Sequence, residues 1–275
     1  MLTNNFVIAD YFKRVGFSGA AENNLHTLTA VMRAQLQSVP FENLDVQAGK
    51  IVSLVPEDIV NKIVYSLRGG YCYEVNSLFA MALTALGFEY DIIGARPMFY
   101  PYRRPKSHMV LLVKIGDEHW LCDTGFGSFG LRAPVGLHQL GQIILQDNET
   151  FMLDKNERGE FVLKSLVKGE WANQFSFDLQ SMEMIDFMPV NYYNSTHPDA
   201  VFVQRYLVMQ QRPDGRTLLS GNQLKQLRGD QELVTEITSD QLDEVLWQEF
   251  KLKRDNFLLL SGDGGLDKIN GATRG

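Results

Sequence analysis

Along the first third of the chain, apolar residues recur at helical intervals. Val75, Leu78, Phe79, Ala82, Leu83 and Leu86 share one face of a helix that Gly87 ends, and this helix is expected to be buried and rigid. Upstream, Asp10 opens a short helical segment carrying Tyr11 and Phe12, and Asn24 or Thr27 can cap a helix whose Leu28, Val31, Met32 and Leu36 face one way. Val39-Pro40-Phe41-Glu42-Asn43-Leu44 interrupts it, because Pro40 lacks the N–H that a helix ladder needs. A third helix is predicted from Pro56, with Glu57 and Asp58 in its first turn, through Ile59, Ile63 and Val64 to Leu67.

After Gly87 the pattern changes to alternation. Glu89–Ala95, His108–Ile115, His119–Asp123, Gln142–Gln146, Thr150–Leu153 and Glu160–Leu166 read as strands, the last two joined by a hairpin loop over Asp154–Gly159. Such a run of short antiparallel strands predicts a barrel or sandwich. Met98–Lys106, with Phe99-Tyr100-Pro101-Tyr102-Arg103-Arg104-Pro105 at its heart, reads as a rigid surface loop rather than a ligand-contacting one. Beyond Asn191-Tyr192-Tyr193-Asn194-Ser195 come a short linker and strands at Phe202–Gln210 and Thr217–Ser220, with a turn at Arg212-Pro213-Asp214-Gly215. Ser239 is placed to cap a last helix bearing Leu242, Val245, Leu246 and Phe250, and the Gly-, Asp- and Asn-rich tail from Ser261 reads as loose.

Composition narrows the function. The 275 residues are 45% hydrophobic and 21% charged, ordinary for a soluble globular protein and enough for two or three compact units. A net charge of −7 without a Lys/Arg stripe offers no electrostatic basis for binding nucleic acid. Met1–Phe17 lacks a basic flank followed by an apolar run, and no apolar stretch is long enough to span a membrane, so a cytoplasmic location is expected. The two cysteines lie far apart in dissimilar surroundings, which argues against a disulfide scaffold.

Cys72 follows Gly69-Gly70 at the head of the apolar helix. There the unpaired N–H groups and the positive end of the macrodipole favour a thiolate. Taken alone, Cys72 reads as a small buried side chain rather than as a nucleophile. A nucleophilic cysteine needs a base and the base an orienting group. His26, His119, His138 and His197 read as structural or solvated, whereas His108 begins an apolar strand that returns through Ile115-Gly116-Asp117-Glu118 to Trp120-Leu121-Cys122-Asp123. If Gly116-Asp117 is the two-residue turn, Asp123 faces Val110, two residues from His108 on the same side of the sheet. If Ile115-Gly116 is the turn, Asp123 lies opposite His108. Either register puts the two side chains on one face, within about 5–8 Å between β-carbons. Cys122 then points to the other face and is expected to be buried and inert. Gly125-Phe126-Gly127-Ser128-Phe129-Gly130 fits G-x-G-x-x-G, but Pro134 and Gly136 forbid the helix that a dinucleotide site requires, leaving a loop that can bring bare backbone to a ligand. Cys72, His108, Cys122 and Asp123 lack the short spacing of a zinc motif, so no metal is expected.

Five segments together resemble the arylamine N-acetyltransferases: V-P-F-E-N-L at 39–44, R-G-G-Y-C-Y-E-V-N at 68–76, S-H-M-V-L-L-V at 107–113, W-L-C-D-T-G-F-G at 120–127 and N-Y-Y-N-S-T-H-P at 191–198. The resemblance implies a Cys72–His108–Asp123 triad in an α+β protein. Its three parts are an N-terminal helical bundle (1–87), a central antiparallel β-barrel (88–190) and a linker with an α/β lid (191–275), with a cysteine-protease-like catalytic core joining the first two. It implies acetyl-CoA as co-substrate, arylamines, arylhydrazines or arylhydroxylamines as acceptors, a ping-pong mechanism, and a place in xenobiotic metabolism. Phe41, Ser107, Gly125, Phe126, Gly127 and Phe202 are implied to line the pocket, and Arg68 and Arg14 to form a supporting ion-pair network. Thr124 stands where the family more often has valine, and its hydroxyl is expected to add a hydrogen bond beside Asp123. Three rivals share parts of this reading: an amide synthase using another acyl thioester, a cysteine-protease-like hydrolase, and a non-catalytic ligand-binding protein. The preferred amine and the oligomeric state stay open.

Overall fold

A computed structural model describes residues 1, 3–229 and 231–253, so the tail from Ser261 lies outside the described residues. The first third is helical: α1 (Ile8–Val15), α2 (Leu25–Ser38), a two-residue strand β1 (Phe41–Glu42), α3 (Leu44–Gln47), α4 (Pro56–Val60) and α5 (Cys72–Ala85). Asn24 caps α2 by accepting from the Thr27 N–H at 2.9 Å, and the helix ends before Pro40. Past Val60 the third predicted helix departs from expectation. A π turn (Asn61–Tyr65) takes over, with Leu67 at a left-handed φ of 54°.

The strands β2 (Glu89–Pro97), β3 (His108–Ile115), β4 (Glu118–Cys122), β5 (Val135–Gly136), β6 (Ile143–Gln146), β7 (Glu149–Lys155), β8 (Phe161–Val167) and β9 (Glu170–Ser181) form one antiparallel sheet in the order β5-β4-β3-β2-β9-β8-β7-β6. Flat, eight strands would separate β5 from β6 by about 34 Å. The loop joining them, residues 137–142, reaches at most about 25 Å when extended. The sheet is therefore curled, and β6 is tied to the segment just before β5. Gln146 accepts from the N–H groups of Arg132 and Ala133 and donates to the Ala133 carbonyl.

The remainder comprises α6 (Met188–Thr196), α7 (Val201–Gln204), β10 (Leu207–Arg212), β11 (Gly215–Ser220), β12 (Gln223–Arg228), β13 (Gln231–Glu236) and α8 (Leu242–Phe250). Phe202 lies in α7 rather than at the start of a strand, because side chains take its backbone acceptors: Asn43 and Gln47 both donate to the carbonyls of Phe202 and Arg205. Asn191–Ser195 belongs to α6, and Ser239 falls inside a short 3₁₀ turn (Ser239–Gln241) ahead of α8. β1 pairs with β10, Phe41 opposite Met209, so a segment of the first third forms the edge of a second sheet, β1-β10-β11-β12-β13.

One continuous core runs from Leu28 and Met32 of α2 through Leu78, Phe79 and Leu83 of α5 into Val110 and Leu112 of β3 and Phe175 of β9. Burying each such side chain contributes about 1.5–3 kcal/mol, which fixes α5 against β3. A smaller core packs Leu242, Leu246 and Phe250 of α8 on Val208 and Leu219. Among the described residues no helix is long and apolar enough to cross a membrane.

Candidate active site

Cys72 is the first residue of α5 and is 3% exposed. Glycines make its position possible. A β-carbon on Gly69 would overlap the Pro40 carbonyl, and one on Gly70 would come 2.6 Å from the Glu74 carboxylate, so only bare backbone fits between Pro40 and the first turn of α5. The Glu42 N–H donates to the Gly70 carbonyl at 3.0 Å, which brings Phe41 beside the head of α5. Glu74 accepts from the Tyr71 N–H at 3.0 Å and belongs to a buried ion cluster. In it Lys62, on the π turn, lies 2.7 Å from both Asp45 and Glu74, and Arg68 lies 2.8 Å from Glu42. Burial pushes the Glu74 pKa up to about 7 despite Lys62. Arg68 thus sits in an ion-pair network as expected. Arg14 does not: it donates to the carbonyls of Ile63, Ser38 and Arg68 at 2.8–2.9 Å, satisfying segment ends that lack helical partners.

His108 opens β3 and Asp123 follows β4. Ile115 pairs with Glu118, so Gly116-Asp117 is the two-residue turn, with Gly116 at φ 60°. Continuing that ladder by one residue sets Asp123 opposite Val110. His108 Nε2 lies 2.7 Å from Asp123 Oδ2, and both side chains are buried. A carboxylate only accepts, so Nε2 carries the proton and Nδ1 is the nitrogen left for Cys72. Asp123 Oδ1 accepts from Asn76 Nδ2 at 3.1 Å and from the Gly125 N–H at 2.8 Å. Burial opposes a charge on His108, yet Asp123 and Cys72 together outweigh it and push the imidazole up to about 10. Cys122 is sealed in the core, and burial raises its thiol well above the usual range.

Asn76 was not among the residues expected in the site. It stands four residues after Cys72, one turn along the same face of α5, and that spacing was the available signal. Besides Asp123, its Nδ2 donates to the Met109 carbonyl at 2.7 Å, and its Oδ1 accepts from the N–H and hydroxyl of Thr124 at 2.8 and 2.9 Å. The Thr124 hydroxyl therefore reaches Asp123 through Asn76 rather than directly, and it accepts in turn from Gln35 Nε2 at 2.9 Å.

Cys72 and His108 open onto a cavity of about 260 Å³ whose lining includes Phe41, Ser107, Gly125, Phe126, Gly127 and Phe202. Phe126 stands edge-on to the His108 ring at 5.1 Å. The structure thus brings together every pocket residue expected from sequence, with Asp123 behind His108. It also corrects the reading of the 98–106 loop. Phe99, Tyr100 and Arg104 line the cavity, because Phe99 packs on Phe126 at 5.9 Å and Arg104 nests among tyrosine rings, folding the loop over the site. A larger groove of about 730 Å³ between α1 and the end of α8 is lined by neither cysteine nor histidine.

Comparison with known proteins agrees with this geometry. The profile of an N-acetyltransferase family matches residues 24–258. Arylamine N-acetyltransferase 2 of Mesocricetus auratus is 32% identical over 234 residues, covering 78% of this chain and 81% of that protein. The structure of the arylamine N-acetyltransferase from Mycobacterium abscessus superposes with a TM-score of 0.88 at 26% identity, covering 97% and 96% of the two chains. That of Mycobacterium marinum arylamine N-acetyltransferase in complex with CoA superposes with a TM-score of 0.85 at 28% identity, covering 96% and 98%. The chain belongs to the arylamine N-acetyltransferase family.

Proposed function

We propose that this enzyme moves an acetyl group from acetyl-CoA to the nitrogen of an arylamine or arylhydrazine, or to the oxygen of an arylhydroxylamine, by a ping-pong route through acetyl-Cys72. The observation that carries the reading is the juxtaposition of a helix-terminal thiol, an imidazole fixed 2.7 Å from a buried carboxylate, and a small cavity onto which thiol and imidazole both open. His108 takes the proton of Cys72, and the resulting imidazolium is held in place by Asp123. The thiolate attacks the thioester carbonyl, the tetrahedral intermediate expels the CoA sulfur, and His108 returns the proton to it. The aromatic amine, largely unprotonated near neutral pH, then attacks the acetyl-cysteine. His108 takes the amine proton and passes it to the departing Cys72 sulfur. The first-turn N–H groups of Cys72 and Tyr73 have no intrahelical acceptor, which supports them as donors to the oxyanion.

The same reading divides the chain into a helical unit (1–87) carrying the nucleophile, a β unit (88–190) carrying His108 and Asp123, and a linker and lid (191–275). The core shared by α5 and β3 supports a cysteine-protease-like junction of the first two. A cytoplasmic setting and a role in clearing foreign amines go with it. Mass spectrometry after mixing with acetyl-CoA tests the central claim: one acetyl group is expected on the peptide containing Cys72. Its absence, or its appearance on another residue, rejects the mechanism.

A further inference from the structure

The cavity at Cys72 is bounded by a buried cation with no counter-charge. Arg104 is 8% exposed, yet among the described residues no carboxylate lies within ion-pair distance of its guanidinium. The comparably buried Arg68, Arg132 and Arg216 each face one. Arg104 is instead surrounded by the rings of Tyr100 at 4.7 Å and of Tyr102 and Tyr193 at 5.6 Å. Ring quadrupoles attract a cation but do not neutralise it. Its Nη1 donates to the Tyr102 hydroxyl at 3.1 Å, while its Nε, shut off from solvent, reaches no acceptor. Arginine does not shed its proton, so the site holds a standing positive charge that no carboxylate balances.

The missing counter-charge fits the acceptor better than the donor. A cavity of about 260 Å³, walled by Phe41, Phe126 and Phe202, admits one substituted aromatic ring and is too small for the phosphates and nucleotide of a coenzyme. We propose that Arg104 is a specificity-determining residue that pairs with a carboxylate on the aromatic ring, so that carboxylated arylamines are the preferred acceptors. This rests on the acetyl-transfer reading given above. A planar guanidinium matches a carboxylate in shape as well as in charge.

The test compares 4-aminobenzoate with 4-aminobenzamide, which differ in charge and little in shape. The ratio of their kcat/KM values is taken within each of the unaltered enzyme, Arg104→Gln and Arg104→Lys, so that any general loss cancels. The ratio is expected to fall at least ten-fold in Arg104→Gln and to recover in part in Arg104→Lys; an unchanged ratio overturns the proposal. Calorimetry on the unaltered enzyme gives a second readout that needs neither variant folding nor turnover. Benzoate is expected to bind at least ten-fold more tightly than benzamide and to lose that advantage as sodium chloride is added, whereas equal binding overturns the proposal. Acetylation rates of Cys72 by acetyl-CoA and by S-acetyl-N-acetylcysteamine, which carries no phosphate, are compared in the same proteins. A defect of Arg104→Gln confined to acetyl-CoA would assign the arginine to the coenzyme's phosphates instead. Should neither donor acetylate the unaltered enzyme, the acetyl-transfer reading fails, and benzoate binding still decides the role of Arg104.

Discussion

A β-carbon on Gly125 would lie 2.7 Å from the Cα of Cys72: the loop that follows Asp123 touches the backbone of the helix carrying the thiol. The same β-carbon would stand 2.8 Å from Val75 Cγ2 and 2.9 Å from Asn76 Nδ2, so there is no flexible neighbour to move aside. Gly125→Ala is expected to push loop and helix apart. It should destabilise the protein by about 1–3 kcal/mol and lower kcat/KM for acetyl transfer by roughly ten-fold or more, since a small displacement of a reacting group is costly in rate. Urea unfolding and steady-state kinetics check both effects, and a variant matching the parent in each would show that the contact is not constraining.

The two cysteines are expected to behave as opposites. Cys72→Ala and Cys72→Ser should abolish acetyl transfer, because the proposed covalent intermediate forms on that sulfur. Cys122→Ala should keep activity within a few-fold, since Cys122 lies in the core and does not line the cavity. Retained acetyl transfer in Cys72→Ser with loss in Cys122→Ala would reverse the assignment.

Asp123 holds the ring of His108 through Nε2 at 2.7 Å. In Asp123→Asn the amide can present its N–H to Nε2, forcing the proton onto Nδ1, the nitrogen needed by Cys72. A loss on the order of 10³–10⁴-fold in kcat is expected, by analogy with the same exchange in a serine-protease triad. Pre-steady-state release of CoA locates the defect, which should fall on Cys72 acetylation. A normal burst of CoA would mean that Asp123 does not set the tautomer.

His108 also ties stability to pH. Its pKa is raised from 6.5 to about 10 in the folded protein, so between those values the native imidazolium keeps a proton that the unfolded imidazole has released, the net uptake being that part which Cys72 does not itself supply. The stabilisation is complete below pH 6.5 and is lost as pH rises through about 10. The urea midpoint should decline over that window, and the decline should be shallower in His108→Gln. Parallel slopes for the two proteins would disprove the linkage.

The buried ion cluster before α5 holds Glu42, Asp45 and Glu74 against Lys62 and Arg68. Arg68→Met removes the cation nearest to Glu42 and leaves it only Lys62 at 3.8 Å, and removing one partner of a buried pair typically costs about 3–5 kcal/mol. Thermal unfolding should show a loss of that order, with Arg68→Lys recovering part of it. An unchanged midpoint would show that solvent reaches the cluster.

How much of this was legible beforehand follows from how local the determining signals are. The His108–Asp123 pair could be read from one hairpin, because strand alternation and a Gly-Asp turn leave few registers. The face of α5 could be read because Val75, Leu78, Phe79, Ala82 and Leu83 repeat at helical spacing. By contrast β9 carries no such local signal. Its burial runs exposed, buried, then exposed again, and its pairing with β8 slips at Leu163/Lys164. β13, exposed along its length, carries no amphipathic pattern and is defined by its ladder to β12. Around Phe202 the β-favouring neighbours point to a strand, and what decides otherwise is the claim of Asn43 and Gln47 on its carbonyl, from more than a hundred residues away in the chain. The 98–106 loop is marked in the sequence only by its composition, and composition says nothing about which way a loop folds.

The pairing of β1 with β10 has a consequence for biosynthesis. Phe41 and Cys72 leave the ribosome early, whereas Phe202, Leu207 and Leu218, which line the same cavity, are translated last among its walls. At about 5–20 residues per second the nascent thiol precedes Leu207 by roughly 7–27 s. The proposed reactive centre therefore has a birth order: Cys72 is made first, His108 next, and the cavity walls Phe202, Leu207 and Leu218 last.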